Sequence, residues 1–415
     1  MGFTKNEKLS IYNGIASTAS TNMVNGYIPL FAISVLGATN NQMGLITSLP
    51  SIIGMLALIP GAIWLNKWKS KKNFAVASTF ATRFMFMLIL FVPFFSESGY
   101  APWLLVGLIA LLNFPGALSN LSWQSMIGDM ISEDRRGNFF SSRNRYNTIA
   151  ALAATFSTGL FLSLFDKRDA LPYQILFAVG FLLAIFEVIF LFKHKERVSK
   201  PEIKQEVIEK KKLPFAVFRY KPYTAFLICA MAYNISAQMG WSIFSIYHIK
   251  EAHATAIWFS LFSVTNQLAQ IISLKWWAKF ADRRGNTMLL FVAAAGMASA
   301  PVLTILSTNL VYITLINFWI GIFVAGTNLL LFNQLLKATP DESKTNYIAN
   351  YNFLLAIVGF IAPQIGVFLL NQFGMNFAMA LVSAARFTAA FSFLVVALKL
   401  ENHKAFRART IEESV

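Results

Sequence analysis

Cysteine is nearly absent from this sequence. Cys229 is the single one in 415 residues, so neither an intramolecular disulfide nor a cysteine-based metal site can form. Charge is scarce too: Asp, Glu, Lys and Arg make up 13% of the chain, against about a quarter in soluble domains. Histidine occurs four times, at His194, His248, His253 and His403, without metal-ligand spacing. Missing as well are a Gly-x-Ser-x-Gly nucleophile motif, a phosphate-binding glycine loop with its lysine, and paired aspartates inside an apolar run. These absences argue against a membrane-embedded enzyme and against an ATP-driven pump, and no cofactor is expected.

What is abundant is apolar sequence, 56% of all residues, with a mean hydropathy of +0.56. The apolar runs are long and continuous. A transmembrane barrel would show short alternating segments instead. Helices of about 20 residues that satisfy their own backbone hydrogen bonds are the remaining way across lipid. Twelve spans are expected, at 11–36, 42–66, 74–95, 101–128, 146–165, 172–192, 223–247, 256–278, 287–307, 310–336, 346–370 and 375–399. The first follows a short charged start with no small-residue cleavage site, which predicts an uncleaved helix. The fold class expected is therefore an all-α polytopic membrane protein.

The net charge of +16 would suit a nucleic-acid partner, but its distribution points elsewhere. With the N-terminus in the cytoplasm, three basic residues fall outside (Lys167, Arg168, Lys250) and three within spans (Arg83, Lys275, Arg386). The rest of the 35 Lys and Arg lie on the cytoplasmic side. That asymmetry predicts a multi-pass protein of the cell membrane with both termini cytoplasmic and its basic residues facing anionic lipid. No nucleic-acid partner is needed.

The chain also repeats itself. Ser132-Glu133-Asp134-Arg135-Arg136-Gly137 follows span four, and Pro340-Asp341-Glu342-Ser343-Lys344-Thr345 follows span ten at the same place. Asn120 and Asn328 match at that offset. Trp64 with Ser70-Lys71-Lys72-Asn73 corresponds to Trp276 with Asp282-Arg283-Arg284-Gly285. Two pseudo-symmetric six-helix halves follow, with expected boundaries at 1–192 and 223–399, a basic cytoplasmic linker at 193–222 and a cytoplasmic tail at 400–415.

With two six-span halves and a basic linker, the chain resembles the major facilitator superfamily of secondary transporters over nearly its whole length. The most specific match is Asp282-Arg283-Arg284-Gly285-Asn286, which looks like the family's acid-basic-x-glycine-basic loop signature. The first-half copy is weaker, with Ser70 for the acid and Asn73 for the glycine. Asp129 and Arg135-Arg136-Gly137 resemble the family's loop after span four. The resemblance implies a cytoplasmic gate built on Asp129, Arg135, Arg136, Gly137, Asp282, Arg283, Arg284 and Gly285.

Buried amides need partners that lipid cannot supply. Asn and Gln concentrate in every third span: Asn22 and Asn25 in span one; Asn113, Asn120 and Gln124 in span four; Asn234 and Gln238, beside Tyr233 and Trp241, in span seven; Asn317 and Asn328 in span ten. These predict a polar substrate cavity near the midplane, and the resemblance places the same four helices around one. Ionisable residues inside spans are functional candidates. Arg83 lies about 13 Å and Glu187 about 9 Å from the inner end by helical rise, within reach of each other as a structural pair or a proton-coupling pair. Arg386, in mid-span, needs neutral acceptors, a bound anion or a partner across the halves.

The expected function is a secondary active transporter moving a small solute by alternating access with co-transport of a proton or another ion. A proton-coupled drug or metabolite exporter is one alternative. It is weakened because span four has no arginine and span five no proline and one glycine, Gly159, while Gly359-x-x-x-Pro363-x-x-Gly366 appears in span eleven. A transport-dead membrane sensor of the same fold is the other alternative.

Overall fold

Helix starts are written into the polar residues between the apolar runs. Thr4 caps the first helix by a reciprocal box with Glu7, and Thr39 caps the second with Gln42. Asn309 accepts from the amides of Val311 and Tyr312 ahead of the tenth. The computed structural model describes residues 3–68, 70–195, 214–340 and 344–412, and these form helices with no strand among them. Twelve long helices follow in order: α1 (Lys5–Asn25), α2 (Asn40–Lys67), α3 (Lys71–Leu90), α4 (Ala101–Met130), α5 (Glu133–Leu162), α6 (Ala170–Phe192), α7 (Lys221–Ile246), α8 (Ala256–Arg284), α9 (Asn286–Ile305), α10 (Leu310–Ala338), α11 (Lys344–Phe373) and α12 (Met375–Glu412). Most of the expected linker, 196–213, lies outside the described residues, as do Asp341, Glu342 and Ser343 of the repeat.

Nine of these helices are long and apolar enough to cross a membrane by length and composition. The other three, α1, α5 and α7, carry the polar interruptions. α5 departs most from the sequence expectation. It starts at Glu133, well before the span expected at 146, because Ser132 takes the extended N-cap conformation and Glu133 and Asp134 sit in the first turn, where the helix dipole favours acids. Arg135, Arg136 and Gly137 are accordingly helical residues and not a loop. Gly285 is the true turn, at φ +83 between α8 and α9, a conformation that a side chain would strain.

The chain divides into two compact units, Met1–Val207 with His248–Val264, and Ile208–Tyr247 with Thr265–Val415. The same pairing recurs inside each. In the first, α1 packs on α5 and α6, and α3 on α4 and α6. In the second, α7 packs on α11 and α12, and α9 on α10 and α12. Small side chains carry the close approaches: Ala293, Ala294 and Ala298 of α9 and Ala389 and Ala390 of α12 are buried. In lipid, where apolar burial between helices supplies little drive, such close van der Waals packing takes its place. Large apolar side chains such as Ile59, Phe94 and Leu164 stay exposed, the inverse of a soluble core.

At the end of the first unit, Glu7 is buried and receives both Nε and Nη2 of Arg135, at 2.9 and 2.7 Å. Burial pushes the Glu7 carboxyl up, but the hydrogen bonds from Thr4 and Arg135 outweigh it and hold it below the ordinary carboxylate range. A depressed carboxyl stabilises the fold above its unfolded pKa and loses that contribution as pH falls. The expected result is that Glu7→Gln lowers the thermal midpoint of the purified protein most at neutral pH. The gap to wild type should close on acidification below about pH 4. A gap that is constant with pH would show that the ion pair contributes nothing.

Candidate functional site

The first unit forms a half-open cavity of about 470 Å3, walled by α1 to α6. Its charged pair is Arg83 of α3 and Glu187 of α6. Arg83 Nε donates to Glu187 Oε2 at 2.8 Å and Nη2 to Oε1 at 3.3 Å, and Nη2 also reaches Ser17 Oγ at 3.1 Å. Both side chains are largely buried. From α1, Asn13 fixes the backbone below this pair by donating to the Glu187 carbonyl at 2.9 Å. Hydroxyls and amides of α3 and α4 continue the lining. Thr79 and Ser119 share a hydrogen bond of 2.6 Å, and Asn113 and Asn120 of α4 line the space.

A third charge lines the same cavity. Arg143 of α5 stacks its guanidinium over Trp123 at 4.2 Å from the ring centre, and its Nε donates to the Ser10 carbonyl at 3.3 Å. Gly14 makes room for it, since a Cβ there would lie 2.9 Å from the guanidinium nitrogens. On sequence, Arg143 fell in a cytoplasmic loop. The extended start of α5 brings it to the cavity.

Of the amides expected to line a cavity, Asn113 and Asn120 do so in this unit. Asn22, Asn25 and Gln124 do not: Asn22 bonds its own helix, Asn25 is exposed, and Gln124 donates to Asn120 at 3.3 Å. In the second unit, Asn234 and Asn317 are half-buried, Gln238 is half-buried, and Asn328 is exposed. Tyr233 is a core residue, packed near Phe393, and Trp241 is 68% exposed. One geometry recurs across both units. Asn22, Asn113, Asn234 and Asn317 each donate Nδ2 to the carbonyl four residues earlier, at 2.7 to 2.9 Å. An amide ladder that the sequence did not suggest lies beside the last of them: Gln270 donates to Asn266 Oδ1, and Asn266 to the Asn317 carbonyl.

Arg386 finds neutral acceptors. It is 1% exposed and donates to the carbonyls of Ser236 and Ala237 on α7 and Met297 on α9, with Phe244 under its guanidinium. It joins three helices of the second unit.

The residues expected at a cytoplasmic gate have these partners among the described residues. Asp129 pairs with Lys71 at 2.6 Å and not with an arginine. Arg135 takes Glu7, and Arg136 caps the end of α4 by donating to the carbonyls of Gly128 and Ile131. Gly137 lies inside α5, Arg283 is exposed, and the side chains of Asp282 and Arg284 lie outside the described residues. Among the described residues no group of His, Cys, Asp and Glu could hold a metal ion.

A twelve-helix membrane chain with paired units and a polar, charge-bearing cavity has the build of a carrier, and the comparisons agree. The nucleoside transporter NupG superposes with a TM-score of 0.72 at 15% identity, covering 94% of this chain and 99% of that one. A bacterial homologue of the iron transporter ferroportin, in an inward-facing state, gives 0.72 at 14% identity, covering 95% and 99%. A POT family transporter in complex with 5-aminolevulinic acid gives 0.70 at 11% identity, covering 96% and 97%. At these identities the likeness is one of fold. A search of curated proteins returns no significant match. The profile described as Major Facilitator Superfamily matches residues 12–363, and the chain is thus a multi-pass membrane transporter, not an enzyme, and belongs to the Major Facilitator Superfamily.

Proposed function

We propose that this transporter moves a small hydrogen-bonding solute across the cell membrane by alternating access, coupled to protons through the Arg83–Glu187 pair. The observation that carries the coupling is this ion pair in the lining of the cavity, which Arg143 also lines. Protonating Glu187 removes the partner of Arg83 and frees two donor groups toward the cavity, so proton binding and solute binding act on the same side chains. The positive-inside charge pattern supports cytoplasmic termini, a cytoplasmic segment between the halves, and residence in the cell membrane.

The test is uptake of pooled solutes into proteoliposomes under an imposed pH gradient. Wild type should accumulate its solute, with accumulation collapsing when the gradient is dissipated. Glu187→Gln should lose gradient-driven accumulation but keep solute exchange between the two sides. Asn113→Ala with Asn120→Ala should weaken both. Accumulation that ignores the gradient would overturn proton coupling, and folded protein that binds solute without any flux would make the chain a sensor.

A further inference from the structure

The solved structures of similar fold include a nucleoside transporter and a homologue of an iron transporter, so the choice of solute rests on the residues of this cavity. We infer that the solute carries a carboxylate and that Arg143, held against Trp123, receives it. The inference rests on the transport reading above.

Three ionised side chains line the cavity, Arg83, Arg143 and Glu187. Glu187 is committed to Arg83 by two hydrogen bonds, and Ser17 takes one more donor of that guanidinium. Arg143 makes no hydrogen bond to a carboxylate among the described residues, though the charge of Glu187 acts on it through space. Its hydrogen bond is to one backbone carbonyl, and among the described residues the rest of its donor fork meets no acceptor. A half-buried charge whose nearest counter-charge is already bonded to another arginine is costly, and retaining one calls for a function.

The surroundings of Arg143 also lack partners. Trp123 Nε1, Ser10 Oγ and Asn147 Oδ1 are buried polar atoms with no hydrogen bond, although protein interiors pair nearly all such atoms. Trp123 carries the ring on which Arg143 stacks, and a Cβ on Gly14 would press on both Arg143 and Asn147. These residues lie together: a planar fork, its stacking platform with an unbonded indole N–H, and room for the fork left by Gly14.

The charge balance selects the ligand group. Two guanidiniums against one carboxylate leave one positive charge. A carboxylate matches that charge and the fork geometry of arginine. A phosphate monoester brings about −1.5 to −2 charges, which the cavity matches only when Glu187 is protonated, so glycerol 3-phosphate serves as the competing probe.

The experiment uses purified full-length protein and matched probes: lactate with lactamide, benzoate with benzamide, N-acetylglycine with its amide, and glycerol 3-phosphate. Binding is read as a rise in the thermal midpoint, and carriage as uptake into proteoliposomes. The expected result is that at least one carboxylate binds and its amide does not. Arg143→Gln should then weaken that binding roughly 10- to 100-fold, the range for charge-assisted hydrogen bonds. Arg143→Lys should recover only part of it. Trp123→Phe keeps the stack, removes the N–H and should cost several-fold, which keeps the assignment testable if Arg143→Gln does not fold. Equal binding of acids and amides, unchanged carboxylate affinity in Arg143→Gln or Arg143→Lys, or binding of glycerol 3-phosphate alone would overturn it. Amides carried across in place of acids would overturn the carboxylate and leave transport intact. Carboxylate binding without flux would uphold the site and overturn the transport reading.

Discussion

Glu187→Ala is expected to destabilise the protein by about 3 to 5 kcal/mol, the cost of breaking a buried ion pair by removing one partner. Glu187 is 5% exposed, and its carboxylate holds both Nε and Nη2 of Arg83. Truncation leaves that guanidinium with Ser17 Oγ as its remaining hydrogen-bond acceptor. The penalty comes from the stranded charge and not from the lost attraction, so removing both charges should restore much of the loss. Arg83→Met with Glu187→Ala is therefore expected to be more stable than Glu187→Ala alone. Glu187→Gln, which keeps an acceptor of the same shape, should fall between Glu187→Ala and wild type. Thermal unfolding of the four proteins in one detergent decides it: a double variant no more stable than the single would mean that the pair is not coupled. Transport adds a separate readout, since a purely structural pair predicts that the stable double variant still couples flux to protons.

Gly366→Ala should be the most damaging single-methyl change in the second unit. A Cβ at Gly366 would overlap the carbonyl oxygen of Met239 and press on its carbonyl carbon and Cα. These are backbone atoms of α7, which cannot rotate aside, so α11 must move away from α7 along their contact. Overpacking of this kind costs about 1 to 3 kcal/mol and sometimes more. It exceeds the gain of about 1 kcal/mol that alanine brings over glycine inside a helix. Gly107→Ala is the matched control. No atom lies within 4 Å of its Cβ position, so it should be neutral or slightly stabilising. Equal thermal midpoints for the two variants would mean that α7 and α11 do not meet at Gly366.

The helices and the paired halves were legible because polar residues interrupt the apolar runs at equivalent places. The candidate site was legible only in part, for reasons that individual residues make plain. Arg143 was hidden because the first half of α5 is polar and reads as loop, although Ser132 followed by two acids is a helix start. Thr79, Thr82 and Ser119 were passed over because amides, and not hydroxyls, were taken as the mark of a cavity, yet Thr79, Thr82 and Arg83 follow helical spacing on one face. Tyr233 was credited to the cavity through its neighbour Asn234, although adjacent helical residues point about 100° apart, and it is the core residue of the two. The acceptors of Arg386 are backbone carbonyls, which no side-chain pattern reveals.

The amides that bond back to their own helices carry one more consequence. Asn113 lines the cavity with its Nδ2 already tied to the Ile109 carbonyl, so its Oδ1 is held in one direction before anything arrives. Freezing a free side chain on association costs about 0.5 to 1.5 kcal/mol in lost rotamer entropy, and here folding has already met that cost. Recognition at Asn113 then leaves its rotamer population unchanged, and a solute can dock on the carrier without first waiting for that side chain to reorganise.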